Sequence, residues 1–253
     1  LIFGRDLYRV KKPRPSDTGE PATTSVSTTV LKTLTHRDLV LACVGMAGAV
    51  VAWSAFINFF PTLMLERYDV SLSWSGGLLA LNMAVGGVMG VAMAFLLGSS
   101  RLLNPVLVIL GLGMTAGYIA MTLTGSLPLL IVYAGVSGLS GAYFPLLYSA
   151  AFQLRGITRD RIPLAVAAVM TAVSVGMVVG PVMTGFLQEA TGDLRLPLII
   201  ASLSGLILVP VGALIALAPP QSPEPAPDPV TGHSIEALVG DKPATAGAEA
   251  ESK

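Results

Sequence analysis

Charge is scarce in this sequence. Among 253 residues stand only 15 basic and 15 acidic ones, and the two signs cancel to a formal net charge of zero. Binding to nucleic acid or another polyanion rests on an excess of Lys and Arg, so no nucleic-acid partner is expected. Histidine is limited to His36 and His233, and cysteine to Cys43. One thiol builds neither a disulfide framework nor a thiolate metal cluster within this chain, so no metal site and no cofactor is expected, and Cys43 reads as a small packing residue. What fills the sequence is apolar, 53% of it hydrophobic, with a mean hydropathy of +0.74. That leaves too little polar surface to coat a water-soluble globule, and lipid is the expected solvent.

Stretches free of Asp, Glu, Lys and Arg run over residues 39–65, 70–100, 102–154, 162–188 and 196–223. A hydrocarbon core about 30 Å thick takes about 20 helical residues to cross, so four stretches fit one span each. The longest, 102–154, fits two, with Gly125-Ser126-Leu127-Pro128 as the turn between them. Spans are expected near 40–64, 73–98, 105–124, 128–152, 163–188 and 196–218. The runs are continuously apolar and lack the alternating polar face of a barrel strand. The fold class is therefore an all-α membrane protein with six transmembrane helices.

Residues 1–38 carry Arg5, Arg9, Lys11, Lys12, Arg14, Lys32 and Arg37 around a Pro-, Ser- and Thr-rich middle, and read as a flexible connector beside a membrane. Leu1-Ile2-Phe3-Gly4 could end an earlier helix, and a first residue other than Met suggests a chain incomplete at its start. Residues 39–218 form the membrane domain, and 219–253, rich in Pro, Ala, Gly and Glu, read as a disordered tail. With six spans, connector and tail share a side with the loops holding Arg101, Arg155, Arg159 and Arg161. The opposite loops offer Arg67 and Arg195 among Glu66, Asp69, Glu189 and Asp193, so the first side is expected to be cytoplasmic, in a bacterial inner or plasma membrane.

Two internal echoes suggest a pair of related three-helix units. Phe59-Phe60-Pro61 recurs as Tyr143-Phe144-Pro145, and Gly86 with Gly90 recurs as Gly176 with Gly180. In lipid, close helix association needs small residues, and Gly86, Gly90, Gly113, Gly117, Gly176, Gly180 and Gly185 recur at intervals that suit helical faces. The Gly180-Pro181 pair should bend or locally loosen its helix, because proline removes a backbone donor and crowds the preceding turn.

The segment Gly176-Met177-Val178-Val179-Gly180-Pro181-Val182-Met183-Thr184-Gly185, followed by Thr191-Gly192, resembles the eleventh and twelfth spans of the major facilitator superfamily. Tyr143-Phe144-Pro145 is similar to the tenth, and Phe59-Phe60-Pro61 with Leu72-Ser73-Trp74-Ser75-Gly76-Gly77 to the end of the seventh and the start of the eighth. The resemblance covers residues 39–218 and implies the carboxyl half of a twelve-helix secondary transporter, whose partners would be a small-molecule substrate, the lipid bilayer and a missing amino-terminal half. It also implies a gating or packing role for Arg101 in Gly98-Ser99-Ser100-Arg101-Leu102-Leu103-Asn104, although the acidic partner of the family's loop signature is missing here.

Polar or amphipathic side chains within spans are expensive in lipid unless they face the bundle or a cavity, which makes Trp53, Asn58, Asn82, Tyr143 and Tyr148 the substrate-binding candidates. For each, an interhelical hydrogen bond or an interfacial aromatic is the simpler role. No charged residue falls within the expected spans, so no proton relay is expected in them. Gly135-Val136-Ser137-Gly138 and Gly138-Leu139-Ser140-Gly141 match the nucleophile pattern of rhomboid-type intramembrane proteases. That chemistry needs a base, and both histidines lie outside the spans, so an enzyme is disfavoured and no catalytic residue is assigned. A stand-alone channel or structural subunit is the alternative, without a selectivity-filter pattern to support it.

Overall fold

The computed structural model describes residues 30–97, 102–154 and 157–215. The expectations for the tail, for Arg101 and Arg155 and for the connector up to residue 29 fall outside the described residues. Residues 30–34 are helical.

Six helices among the described residues are long and apolar enough to cross a membrane. Helix α1 spans Arg37–Tyr68, α2 Leu72–Leu97 and α3 Leu103–Leu123. Helix α4 spans Leu127–Ala150, α5 Ile162–Thr191 and α6 Arg195–Leu214. At 32 residues α1 is about 48 Å long, more than the hydrocarbon needs. The extra turns take in Arg37, Asp38, Glu66 and Arg67, all at its ends. Glu189 near the end of α5 and Arg195 at the start of α6 are likewise terminal, and α2, α3 and α4 hold no charged residue.

Local chemistry sets the boundaries. Asp69 closes α1 in the left-handed conformation at φ 55°, and the N–H of Val70 returns to the Met64 carbonyl at 3.1 Å. This six-to-one bond satisfies a helix-end carbonyl, and Asp is among the few side chains that tolerate such a φ. Gly192, at φ 68°, ends α5 with its N–H on the Gln188 carbonyl. Pro128 and Pro163 sit in the first turns of α4 and α5, where no donor is lost.

Prolines act differently farther along the helices. In α4 a 3₁₀ segment, Ser140–Ala142, ends three residues before Pro145, and in α6 Ser204–Ile207 ends three before Pro210. Each proline deprives the carbonyl four residues back of its helical donor, and the tighter turn takes up the strain. Neither interruption was anticipated from sequence. Conversely, α5 runs unbroken through Pro181, so the expected loosening does not appear as a break in the helix.

Helix α1 is the hub. It packs along α5 and against all of α6, while α4 packs on α2 and α3, and α3 on α6. Of its most apolar window, 61% is buried, against 17% for α5, so α5 lies at the bundle's edge. The core joins Met46, Phe56, Phe60 and Met64 of α1 to Leu107, Met114 and Met121 of α3 and Leu130 and Leu146 of α4.

One side of the bundle carries an ionic tie between the last turn of α1 and the loop joining α5 to α6. Arg67 Nη1 lies 3.2 Å from Asp193 Oδ2, and Asp193 Oδ1 accepts the Arg195 N–H at 3.1 Å. Both partners are more than two-fifths exposed, so solvent screens the pair. Arg67→Ala is expected to lower unfolding free energy by less than about 1 kcal/mol, and by still less at molar salt. Thermal unfolding at the two salt levels, with Asp193→Asn to complete the cycle, measures this.

Candidate functional site

The site is built where glycines bring helix backbones together. A Cβ on Gly86 of α2 would lie 3.0 Å from the Gly138 carbonyl oxygen of α4, and one on Gly90 would lie 3.1 Å from Pro145 Cγ. From the other side, a Cβ on Gly138 would lie 2.7 Å from the Asn82 carbonyl oxygen, and one on Gly141 2.9 Å from Gly86 Cα. Helices α2 and α4 therefore meet backbone to backbone. The same holds between α5 and α1, where a Cβ on Gly176 would sit 2.8 Å from the Ala47 carbonyl oxygen, and one on Gly180 would collide with Ser54 Oγ and the Val51 carbonyl. Such contacts gain dispersion energy that bulkier residues would forfeit.

Polar side chains tie the same crossings. Asn82 Nδ2 donates to Ser137 Oγ at 2.7 Å and to the Ala134 carbonyl at 3.2 Å, joining α2 to α4. Ser137 Oγ in turn donates to the Ala134 carbonyl or Met121 Sδ. Its neighbours are thus structural, and His36, the one histidine among the described residues, lies before the first turn of α1. Ser54 Oγ donates to the Gly176 carbonyl at 3.1 Å, joining α1 to α5. Interhelical hydrogen bonds in lipid are worth about 1 kcal/mol, so Asn82→Leu should lower the stability of the detergent-purified protein by that amount. A fall in its thermal midpoint without loss of membrane insertion is the expected reading.

Between these two crossings lies a cavity of about 730 Å³. Its walls come from Trp53 of α1, Asn82, Met83 and Gly87 of α2, Tyr143 and Phe144 of α4, and Met177 of α5. Tyr118 of α3 also lines it, lying parallel to Phe56 with ring centroids 4.2 Å apart, and Phe56 stacks on Phe60 at 4.6 Å. Every lining residue is uncharged. Trp53 is the 17th of the 32 residues of α1 and Tyr143 the 17th of the 24 of α4, so the cavity lies well inside the apolar spans.

Of the candidates drawn from sequence, Trp53, Asn82 and Tyr143 line this cavity together, with Gly86 and Gly90 beside them. Asn58 and Tyr148 do not. Asn58 is exposed and donates to the Ser54 carbonyl of its own helix, one turn back. Tyr148 lies nearer the end of α4, edge-on to Phe152. Gly176 and Gly180 press on α1, whereas nothing lies within 4 Å of a Cβ at Gly185, so no helix contact is made there. Pro181 is half-buried within α5, and Arg101 is outside the described residues.

Tyr118, a tyrosine in mid-span of α3, was not among the candidates drawn from sequence. A signal was present: Gly111, Met114, Tyr118 and Met121 recur at spacings of three and four on one face, and all are buried. No family model, curated protein or solved structure matches this chain.

Proposed function

We propose that the chain is one six-helix half of a major facilitator-type secondary transporter, which moves a small solute by alternating access. The cavity carries this reading: a concave, uncharged chamber within the apolar spans, walled chiefly by α1, α2, α4 and α5. Such chambers are where substrates sit when two halves rock about a midplane site.

The glycine contacts support a repeat of two three-helix units. Gly86 meets Gly138 and Gly141, and Gly176, 90 residues later, meets Ala47 and Val50, each 91 residues before its counterpart. Gly90 meets Ala142 and Pro145, and Gly180 meets Val51 and Ser54 at the same two offsets. Thus α2 sits on α4 as α5 sits on α1. Phe59-Phe60-Pro61 and Tyr143-Phe144-Pro145 are 84 residues apart, seven short of that register, or about two helical turns. The aromatic echo is therefore not part of the same superposition, and the glycines carry the repeat alone.

In this reading the side bearing His36 and Arg161 faces the cytoplasm, by the excess of arginine in its loops. Asp160, on that side, is held below the usual carboxylate range first by a hydrogen bond from Thr158, and stays ionised at neutral pH. It is a surface charge outside the spans, and proton coupling, if the transporter uses it, falls to the other half.

Cys43 is the one cysteine in this chain, so this half is readily freed of thiols. With this half in a Cys43→Ala background and assembled with its partner half, also freed of cysteine, a cysteine placed at Gly87 should react with a membrane-impermeant maleimide from either face of oriented vesicles that hold an ion gradient. Labelling from one face only would refute alternating access, and collapse of the gradient would favour a channel.

A further inference from the structure

The cavity has a chemical character that narrows what enters it, and the following deepens the transport reading and rests on it for its biological role. Its wall is apolar apart from a few groups whose hydrogen-bonding capacity is unused. Tyr118 and Tyr143 are only 3% and 4% exposed, no hydrogen bond of either hydroxyl is made among the described residues, and neither oxygen is a fully buried orphan, so each keeps open space beside it. Both belong to the same cavity wall. Asn82 engages its Nδ2 with Ser137 and Ala134, while its Oδ1 accepts from no described group. Phenol hydroxyls left open in an apolar wall are free to donate, and a ligand oxygen would take up that capacity.

Charge argues in the same direction. No lining residue carries a formal charge, so an ionised carboxylate or sulfonate would be stripped of water with no cation of this chain to receive it. An ammonium group would find aromatic faces, Trp53 and Phe144 among them, and the oxygens of Asn82 and the two tyrosines, but no carboxylate of this chain to balance its charge against desolvation. The volume, about 730 Å³, lies in the range of small-molecule sites.

We infer that the cavity binds an uncharged, largely apolar molecule bearing one hydroxyl or carbonyl oxygen, which accepts hydrogen bonds from Tyr118 and Tyr143. A hydroxyl ligand also donates to Asn82 Oδ1. The apolar body rests against Trp53, Met83, Phe144 and Met177.

The chain has two tryptophans, so Trp74→Phe leaves Trp53 as the only indole reporter in the purified full chain. Titration with four probes of one shape, adamantane, 1-adamantanol, 1-adamantanecarboxylate and 1-adamantanamine, separates shape, hydrogen bonding and charge. The alcohol should bind about tenfold more tightly than the hydrocarbon, and the two ions should leave Trp53 emission unchanged. Tyr118→Phe with Tyr143→Phe should bring the alcohol down to the hydrocarbon's affinity while adamantane binds as before, which shows the cavity intact. Binding of either ion as tight as that of the alcohol, or an undiminished alcohol affinity in the double variant, would overturn the inference. Binding is read here without translocation. A chain with this selectivity that is labelled at position 87 from one face only refutes the transport reading and leaves the ligand class standing. Labelling from both faces together with tight carboxylate binding refutes the ligand class alone.

Discussion

Leucine in place of Gly180 is expected to separate α1 from α5 and to destabilise the bundle by about 3 kcal/mol or more, the upper part of the range for overpacking. A Cβ there would already collide with Ser54 Oγ and the Val51 carbonyl, and the second is backbone that no rotamer change can move aside. The Ser54 hydroxyl would also lose its place on the Gly176 carbonyl, 3.1 Å away in the native packing. Insertion into the membrane should be unaffected or improved, because leucine is more apolar than glycine and a span inserts on its hydropathy before it packs. The expected result is therefore a full-length protein in the membrane fraction that loses its monodisperse peak and its cooperative thermal transition in detergent. Gly185→Leu is the control on the same helix, since nothing lies within 4 Å of a Cβ at that position, and it should retain both. Equal behaviour of the two variants would remove the packing argument.

Tryptophan at Gly87 should have the opposite profile, a large loss of ligand binding with little change in stability. Gly87 lines the cavity, is exposed, and has nothing within 4 Å of a Cβ. An indole there occupies space that a ligand would use, and replacing a mid-helix glycine also favours the helix. Binding of 1-adamantanol should become undetectable while the thermal midpoint moves by no more than about 0.5 kcal/mol equivalent. A variant that melts early would mean that α2 is held by contacts around Gly87 absent from this structure. One that binds as before would mean that the ligand sits elsewhere.

The six helices were legible because uncharged runs of the right length have one stable form in lipid, and the turn at Gly125-Ser126-Leu127-Pro128 divided the one ambiguous run. Expected ends at 40 and 64 for α1 fell short of Arg37 and Tyr68, since hydropathy marks the lipid boundary while the hydrogen-bonded helix continues into the interface. The 3₁₀ segments before Pro145 and Pro210 were not legible: Pro61 and Pro181 have the same local chemistry but leave their helices continuous, so packing decides. Site residues divided along a similar line. Trp53, Asn82 and Tyr143 could be nominated as polar or amphipathic residues in mid-span, but Asn58 met the same criterion and proved to be exposed and bonded to its own helix. Residue type registers the expense of burial, whereas which face a residue takes depends on the partner helix. Gly185 shows the same thing for packing, being spaced like its neighbours yet turned away from every helix contact.

The confinement of charge to helix ends has an electrical consequence. A membrane potential does work on a conformational change only through charges that the change carries across the field, about 2.3 kcal/mol per elementary charge per 100 mV. Trp53, Asn82, Tyr118, Tyr143 and the helices around them bring none into the apolar interior, and an uncharged ligand adds none. Motions of this unit should thus be nearly silent to voltage, and rates measured across polarised and depolarised vesicles should coincide.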